Sequence, residues 1–155
     1  MLAIIGAAVI LGGFITVASA ESDKMFLADA IQINLAEISI GELAQKNGGS
    51  DKVKSFGKML VDDHTASHTK ATSLAQGNGM TAPEPKAADT KKYDELKKLS
   101  GAEFDRAFKQ AMVEGHKQAI AKFEKVSKGN DDIAKFAQDT LPTLRKHLET
   151  AQSLG

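Results

Sequence analysis

Apolar residues recur every three or four positions along most of the chain, which is the spacing of one face of a helix. The pattern predicts four long helices, over about residues 23–46, 50–76, 100–128 and 131–154, and a short amphipathic helix over about residues 89–99. No stretch alternates apolar and polar residues for more than a few positions, so the sequence predicts no strand. Six of the seven phenylalanines lie on or beside the inward faces: Phe26, Phe56, Phe104, Phe108, Phe123 and Phe136.

Capping residues mark where the predicted helices begin. Ser22 and Ser50 precede the first two apolar runs and are predicted N-caps. Ser100-Gly101-Ala102-Glu103 has the pattern of a capping box at the start of the third long helix. These signals set the predicted starts of three of the four long helices.

The connections predict how the helices are arranged. Asn47-Gly48-Gly49 and Gly129-Asn130 are short turns, which join long helices into two antiparallel hairpins. Residues 77–88 contain two of the three prolines and no apolar period, and are predicted to be an extended linker. With the short helix, this linker is long enough either to join the hairpins directly or to cross the length of the bundle. The sequence leaves both connections open.

Four titratable side chains, one on each long helix, fall on the inward faces. Because polar titratable groups are costly to bury without partners, their position suggests a shared polar site. Their distances from the two short turns place them within roughly 10 Å of one another along the bundle. The four residues are Glu37, His64, His116 and His147.

Three imidazoles and one carboxylate suit a single borderline metal ion such as zinc, copper or iron. His68 follows His64 by one helical turn and is an optional further ligand, although a partly exposed histidine is the better explanation. The alternative for the whole cluster is a hydrogen-bonded polar layer that fixes the register of the helices.

Composition narrows the function further. The 155 residues are the length of one domain, and 20 basic residues balance 20 acidic ones, which argues against a nucleic-acid partner. The absence of cysteine excludes disulfides, thiolate metal sites and cysteine catalysis. No hydrolase triad order, phosphate loop or nucleotide fingerprint is present, so nothing demands an enzymatic role.

Residues 1–20 have the features of an export signal. An uninterrupted apolar stretch ends in Ala18-Ser19-Ala20, a small-x-small cleavage pattern, just before Glu21. The positively charged start of a typical signal is missing, so an uncleaved N-terminal anchor is the alternative, and it would be the chain's only link to a membrane. The expected mature domain is residues 21–155, located in the periplasm or secreted.

Several motifs along residues 21–155 resemble a known family. They are Glu37-Ile38-x-Ile40-Gly41-x-Leu43-Ala44, Met59-Leu60-Val61-Asp62-Asp63-His64-Thr65, Leu99-Ser100-Gly101-Ala102-x-Phe104-Asp105, Met112-Val113-x-x-His116 and Thr140-Leu141-Pro142-x-Leu144-Arg145-x-His147-Leu148. In this order they resemble the bacterial exported family called domain of unknown function 4142. The resemblance implies an all-α, ferritin-like four-helix bundle and an exported location, but no activity.

One departure separates this chain from ferritin-like di-iron proteins, which use Glu-x-x-His pairs on two helices. The residues three positions before His64, His116 and His147 are Val61, Val113 and Leu144, so the bridging carboxylates are absent.

Two classes of function remain. The first is an envelope protein that binds one metal ion. The second is a protein that binds an unidentified envelope partner and uses the cluster as a structural layer.

Overall fold

Helices make up nearly all of the part of the chain that the computed structural model describes, residues 14–81 and 91–155. No strand is present in these two ranges, as the sequence predicts. The five helices are α1 (Phe14–Asn47), α2 (Asp51–Gly77), α3 (Lys91–Leu96), α4 (Gly101–Val126) and α5 (Asp132–Ser153). Residues 82–90, which include most of the predicted linker and the start of the predicted short helix, lie outside the described residues. None of the helices in the described ranges is long and apolar enough to cross a membrane.

The start of α1 corrects one prediction. The helix begins at Phe14 rather than Asp23, so Ser22 lies inside it and is not an N-cap. Residues 14–21 contain neither glycine nor proline, so nothing in them interrupts a helix that continues towards the N-terminus. The other long helices begin and end within about two residues of the predicted positions.

Side-chain N-caps form at two of the three long helices that follow α1, namely α2 and α5. Ser50 accepts a hydrogen bond from the Val53 backbone, and Asp131 accepts one from the Ala134 backbone. The predicted capping box at Ser100 is wrong, because the Ser100 side chain makes no capping bond. Gly101 has a φ of 58°, so the chain enters α4 through a left-handed residue, and the Ser100 carbonyl accepts from Phe104 N instead.

The long helices form a four-membered ring in the order α1, α2, α5, α4. Contacts are most extensive within the hairpins α1–α2 and α4–α5, and the pairs α2–α5 and α1–α4 close the ring. The start of α4 lies beside the α1–α2 turn, because the Asp105 carboxylate accepts from the backbones of Gly49 and Ser50. The end of α2 lies about 40 Å away, 27 residues along the helix. The end of α2 and the start of α4, which this connection joins, therefore lie at opposite ends of the bundle, as one of the two predicted alternatives requires.

Two apolar clusters fill the bundle, one towards each end. The cluster near the α1–α2 turn includes Phe56, Phe104 and Phe108, and the opposite cluster includes Phe26, Phe123 and Phe136. All six phenylalanines are buried, as predicted. Between the clusters every long helix contributes a buried polar side chain. We call these residues the polar layer: Asn34, Glu37, His64, His116 and His147.

Candidate metal site

Three histidines meet in the middle of the bundle. His64 from α2, His116 from α4 and His147 from α5 are 3%, 1% and 0% exposed. One ring nitrogen of each lies within 4.8 Å of a ring nitrogen of the other two. We call these three residues the histidine trio. The inward stripes of the sequence predicted this convergence, and the structure brings these three predicted residues together.

One nitrogen of each imidazole faces an oxygen acceptor. His64 Nδ1 lies 2.8 Å from Asn34 Oδ1, and His116 Nδ1 lies 2.9 Å from the Met112 carbonyl oxygen. His147 Nε2 lies 2.9 Å from Asp63 Oδ2. The acceptors are an amide, a backbone carbonyl and a carboxylate, drawn from α1, α4 and α2.

These acceptors decide which nitrogen of each ring has the proton. Carbonyl and carboxylate oxygens only accept hydrogen bonds, so each ring nitrogen that faces one must donate. The other nitrogen of each neutral ring then presents a lone pair. The three lone pairs belong to His64 Nε2, His116 Nε2 and His147 Nδ1.

The nitrogens with lone pairs have no hydrogen-bond donor among the described residues. His116 Nε2 and His147 Nδ1 face each other at 3.3 Å, with no hydrogen to share between two neutral rings in these tautomers. His64 Nε2 is buried and has no hydrogen-bond partner among the described residues. A cation near all three nitrogens would satisfy lone pairs that the protein itself leaves unpaired.

Burial keeps the trio neutral. It lowers the pKa of His64 well below its usual value, with a further lowering by the charges of His147 and His116. Burial likewise lowers the pKa of His116 to about 4, and the contact with His147 adds to the shift. The pKa of His147 is also lowered, chiefly by burial, although the Asp63 carboxylate opposes the shift. Neutral imidazole is the form that binds metals.

Glu37 lies in the same polar layer but outside the trio. It does not belong to the group whose ligand atoms lie within 4.8 Å of one another. Its Oε2 is buried without a hydrogen-bond partner among the described residues, and burial raises the pKa of its carboxyl to about 8. Its Oε1 faces Gly115, where a Cβ atom would lie 3.7 Å away. The structure therefore places Glu37 beside the chain of α4 rather than among the imidazoles.

His68, the optional further ligand, also stays outside the trio. It is half-buried on α2, one turn beyond His64, and is not part of the converging group. The partly exposed position matches the simpler of the two sequence interpretations.

Sequence reasoning missed two residues that hold the trio in place, Asn34 and Asp63. Asn34 lies three residues before Glu37, on the stripe of Leu27 and Ile31, so helical spacing could have indicated it. Asp63 directly precedes His64, and neighbouring residues on a helix point about 100° apart. That geometry prevents Asp63 from joining His64 but turns its carboxylate towards α5, where it meets His147.

The comparisons with known proteins identify a family and a fold. The family model Domain of unknown function (DUF4142) matches residues 15–154. The chain belongs to this family. A comparison with curated proteins found no match.

The fold has a counterpart among solved structures. The crystal structure of a DUF305 fragment from Deinococcus radiodurans superposes with a TM-score of 0.75 at 14% sequence identity. The match covers 84% of this chain and 93% of the fragment. At this identity the likeness concerns the fold alone. The comparisons thus give the family and the fold of the chain. The chemistry of the site follows from the residues of this chain.

Proposed function

We propose that this DUF4142 protein binds one divalent transition metal ion through His64, His116 and His147. The observation that supports the proposal most strongly is the 3.3 Å contact between His116 Nε2 and His147 Nδ1. Both atoms present lone pairs, because the other nitrogen of each ring donates to an oxygen. A metal ion turns this unfavourable contact into two coordinate bonds.

The distance suits a small tetrahedral ion. Two nitrogens bound to one tetrahedral zinc ion at about 2.0–2.1 Å lie about 3.3–3.4 Å apart. Imidazole ligands favour zinc, copper or iron over magnesium and calcium, which prefer oxygen. Three protein ligands leave one position for water. No carboxylate of the described residues joins the trio, so the site suits one ion rather than a bridged pair.

The outer hydrogen bonds have the form that metal-binding histidines use elsewhere. A ligating histidine commonly donates its second N–H to a carboxylate, a carbonyl or water, which fixes the ring and its tautomer. Asp63, Asn34 and the Met112 carbonyl supply this support to the three rings. The three rings are therefore preorganised for metal binding.

A purely structural polar layer explains these contacts less well. Such a layer would be expected to pair its buried nitrogens with donors, because an unpaired buried polar group costs about 1–3 kcal/mol. His64 Nε2 lacks a partner among the described residues, and the His116–His147 contact lacks a proton. An envelope protein that uses the layer only to fix helix register, and binds its partner elsewhere, remains the competing proposal.

We further propose that the protein works outside the cytoplasm. The apolar start of the chain and the Ala18-Ser19-Ala20 pattern support export, with cleavage before Glu21. Intact mass spectrometry of protein from an envelope fraction tests this. A mass that begins at Glu21 supports it, and a membrane-bound chain that retains residues 1–20 would instead indicate an anchored protein.

Metal titration tests the proposed function. Protein purified without a histidine tag is stripped with a chelator and titrated with Zn²⁺ or Cu²⁺ against a competing indicator. We expect one equivalent to bind, and His64→Ala to abolish that binding. His68→Ala is the matched control, since it removes a histidine from the same helix one turn away. Equal uptake by wild type and His64→Ala, or no uptake by either, would favour the structural layer.

A further inference from the structure

A cleft between α1 and α4 opens onto the polar layer. Two adjoining cavities of about 350 and 280 Å³ lie along this seam. Both are lined by Ala36, Glu37, Gly115 and Gln118. The α1–α4 seam has fewer contacts than the seams within the two hairpins, which leaves room for the cleft.

Gly115 keeps the floor of the cleft open. It lacks a side chain at the point where α4 passes Glu37, and it directly precedes His116 in the chain. A Cβ atom at this position would be in ordinary contact with Glu37 Oε1, at 3.7 Å. The lining of the cleft therefore includes Gly115, which is adjacent to His116 in the chain, and Met112, whose carbonyl oxygen faces His116 Nδ1.

Glu37 is the buried acidic group of this cleft, whereas Glu114, which also lines it, is exposed and accepts a hydrogen bond from Gln118. Its side chain is about nine-tenths buried, and its Oε2 has no hydrogen-bond partner among the described residues. The two lysines at the edges face other acids, because Lys92 pairs with Glu95 and Lys122 pairs with Asp29. A cation that enters the cleft would thus meet a carboxylate that the neighbouring lysines leave unpaired.

The trio needs such a route, because its rings are almost fully buried. A second approach, between α2 and α5, leads to Asp63, whose side chain is 40% exposed. That approach ends at His147 Nε2, which already donates to Asp63 and offers no lone pair. The α1–α2 seam is closely packed, since a Cβ on Gly57 would lie 2.6 Å from the Gly41 carbonyl oxygen.

We propose that the α1–α4 cleft is the entrance through which a divalent metal ion reaches the histidines, and that Glu37 is the carboxylate that first takes the ion from water. This inference rests on the proposed metal site. It assigns Glu37 a role in the rate of metal transfer rather than in the final coordination shell. Burial raises the pKa of the Glu37 carboxyl to about 8, so the arriving ion replaces its proton, and the carboxylate formed in this way holds the ion inside the cleft.

Stopped-flow mixing of the metal-free protein with Zn²⁺ and a chromophoric indicator measures both association and dissociation rates. Glu37→Gln should slow both by about 10-fold or more, and change the equilibrium affinity little, because it alters the route and not the bound state. Glu42→Gln is the matched control. It removes one exposed carboxylate from the same helix and should leave both rates unchanged.

Gly115 provides a second, independent variant. Gly115→Leu fills the cleft and should slow both rates in the same way, while Gly115→Ala should fold normally and show a smaller effect. Circular dichroism confirms that each variant folds. Unchanged rates of Zn²⁺ association and dissociation in Glu37→Gln would overturn the proposal that the cleft is the entrance. A loss of affinity with an unchanged association rate would make Glu37 a final ligand and would also overturn it, while leaving the metal site intact. Absence of saturable uptake by the wild type would overturn the proposed function itself.

Discussion

Glu37 and the histidine trio occupy the same level of the bundle, yet their surroundings differ. Each histidine has an oxygen acceptor for one nitrogen and presents the other to its neighbours, whereas Glu37 Oε2 has no partner among the described residues. Burial lowers the pKa values of the histidines and raises that of Glu37, so all four side chains favour their neutral forms. Equal depth in the bundle therefore does not make residues members of one site. The arrangement of partners separates the ligands from their neighbour.

The largest expected effect is on metal affinity when one member of the trio is removed. His147→Ala should weaken binding of Zn²⁺ about 100- to 1,000-fold, since each ligand of a structural zinc site supplies several kcal/mol. Isothermal titration calorimetry against a competing chelator measures the change. If Glu37→Ala weakened binding as much, the distinction between the trio and Glu37 would fail.

The second effect is the response of the metal-free protein to acid. The folded state keeps His116 neutral down to about pH 4, while the unfolded chain takes up a proton below its ordinary pKa of 6.5. His116 therefore makes its full contribution to the free energy of unfolding above pH 6.5. This contribution falls by about 3 kcal/mol as the pH decreases towards 4. Urea unfolding at several pH values should show a shallower acid slope for His116→Gln than for the wild type. Equal slopes would mean that His116 is not held neutral.

The third prediction concerns the acceptors that hold the rings. Asp63→Ala should lower metal affinity about 10- to 100-fold, because partners of this kind orient the ligand and raise its basicity. Asp62→Ala is the matched control, since its neighbouring carboxylate is exposed and pairs with Lys58 instead. The same titration compares the two variants, and equal affinities would remove Asp63 from the site.

The last prediction concerns Glu37, whose effect on stability has the opposite sign with pH. Burial raises its pKa from 4.5 to about 8. Its contribution to the free energy of unfolding is therefore complete below pH 4.5 and is lost as the pH rises towards 8. Between pH 6.5 and 8, where the ordinary histidine titration is over, the metal-free wild type should lose about 2 kcal/mol. Glu37→Gln should flatten this part of the curve in urea unfolding. A wild type whose stability is already constant from pH 6.5 to 8 would show that Glu37 titrates normally.

The sequence predicted most of the fold because helical periodicity determines which residues face inward. It placed His64, His116 and His147 at one level, since distances along a helix follow from residue counts. It did not decide between the two predicted connections of the hairpins, because residues 77–99 are long enough for either path. It also misplaced the start of α1. Serine is a common N-cap residue, but Ser22 lies in a stretch without glycine or proline, so the helix continues through it.

The site was less predictable than the fold because its contacts join different helices. Spacing along one helix shows that Glu37 points inward, but not that it faces Gly115 rather than the imidazoles. The contacts of Asn34 with His64 and of Asp63 with His147 depend on how neighbouring helices are rotated against each other. That rotation follows from side-chain packing across the seams, which a single sequence does not display.

X-ray absorption at the metal edge of the loaded, untagged protein tests the central claim most directly. We predict three imidazole nitrogens at about 2.0–2.1 Å from zinc, with water as the remaining ligand. The number of imidazole nitrogens should fall from three to two in loaded His116→Ala and stay at three in His68→Ala. A shell made only of oxygen atoms, or a shell that keeps three imidazole nitrogens in His116→Ala, would contradict a metal site built from the histidine trio.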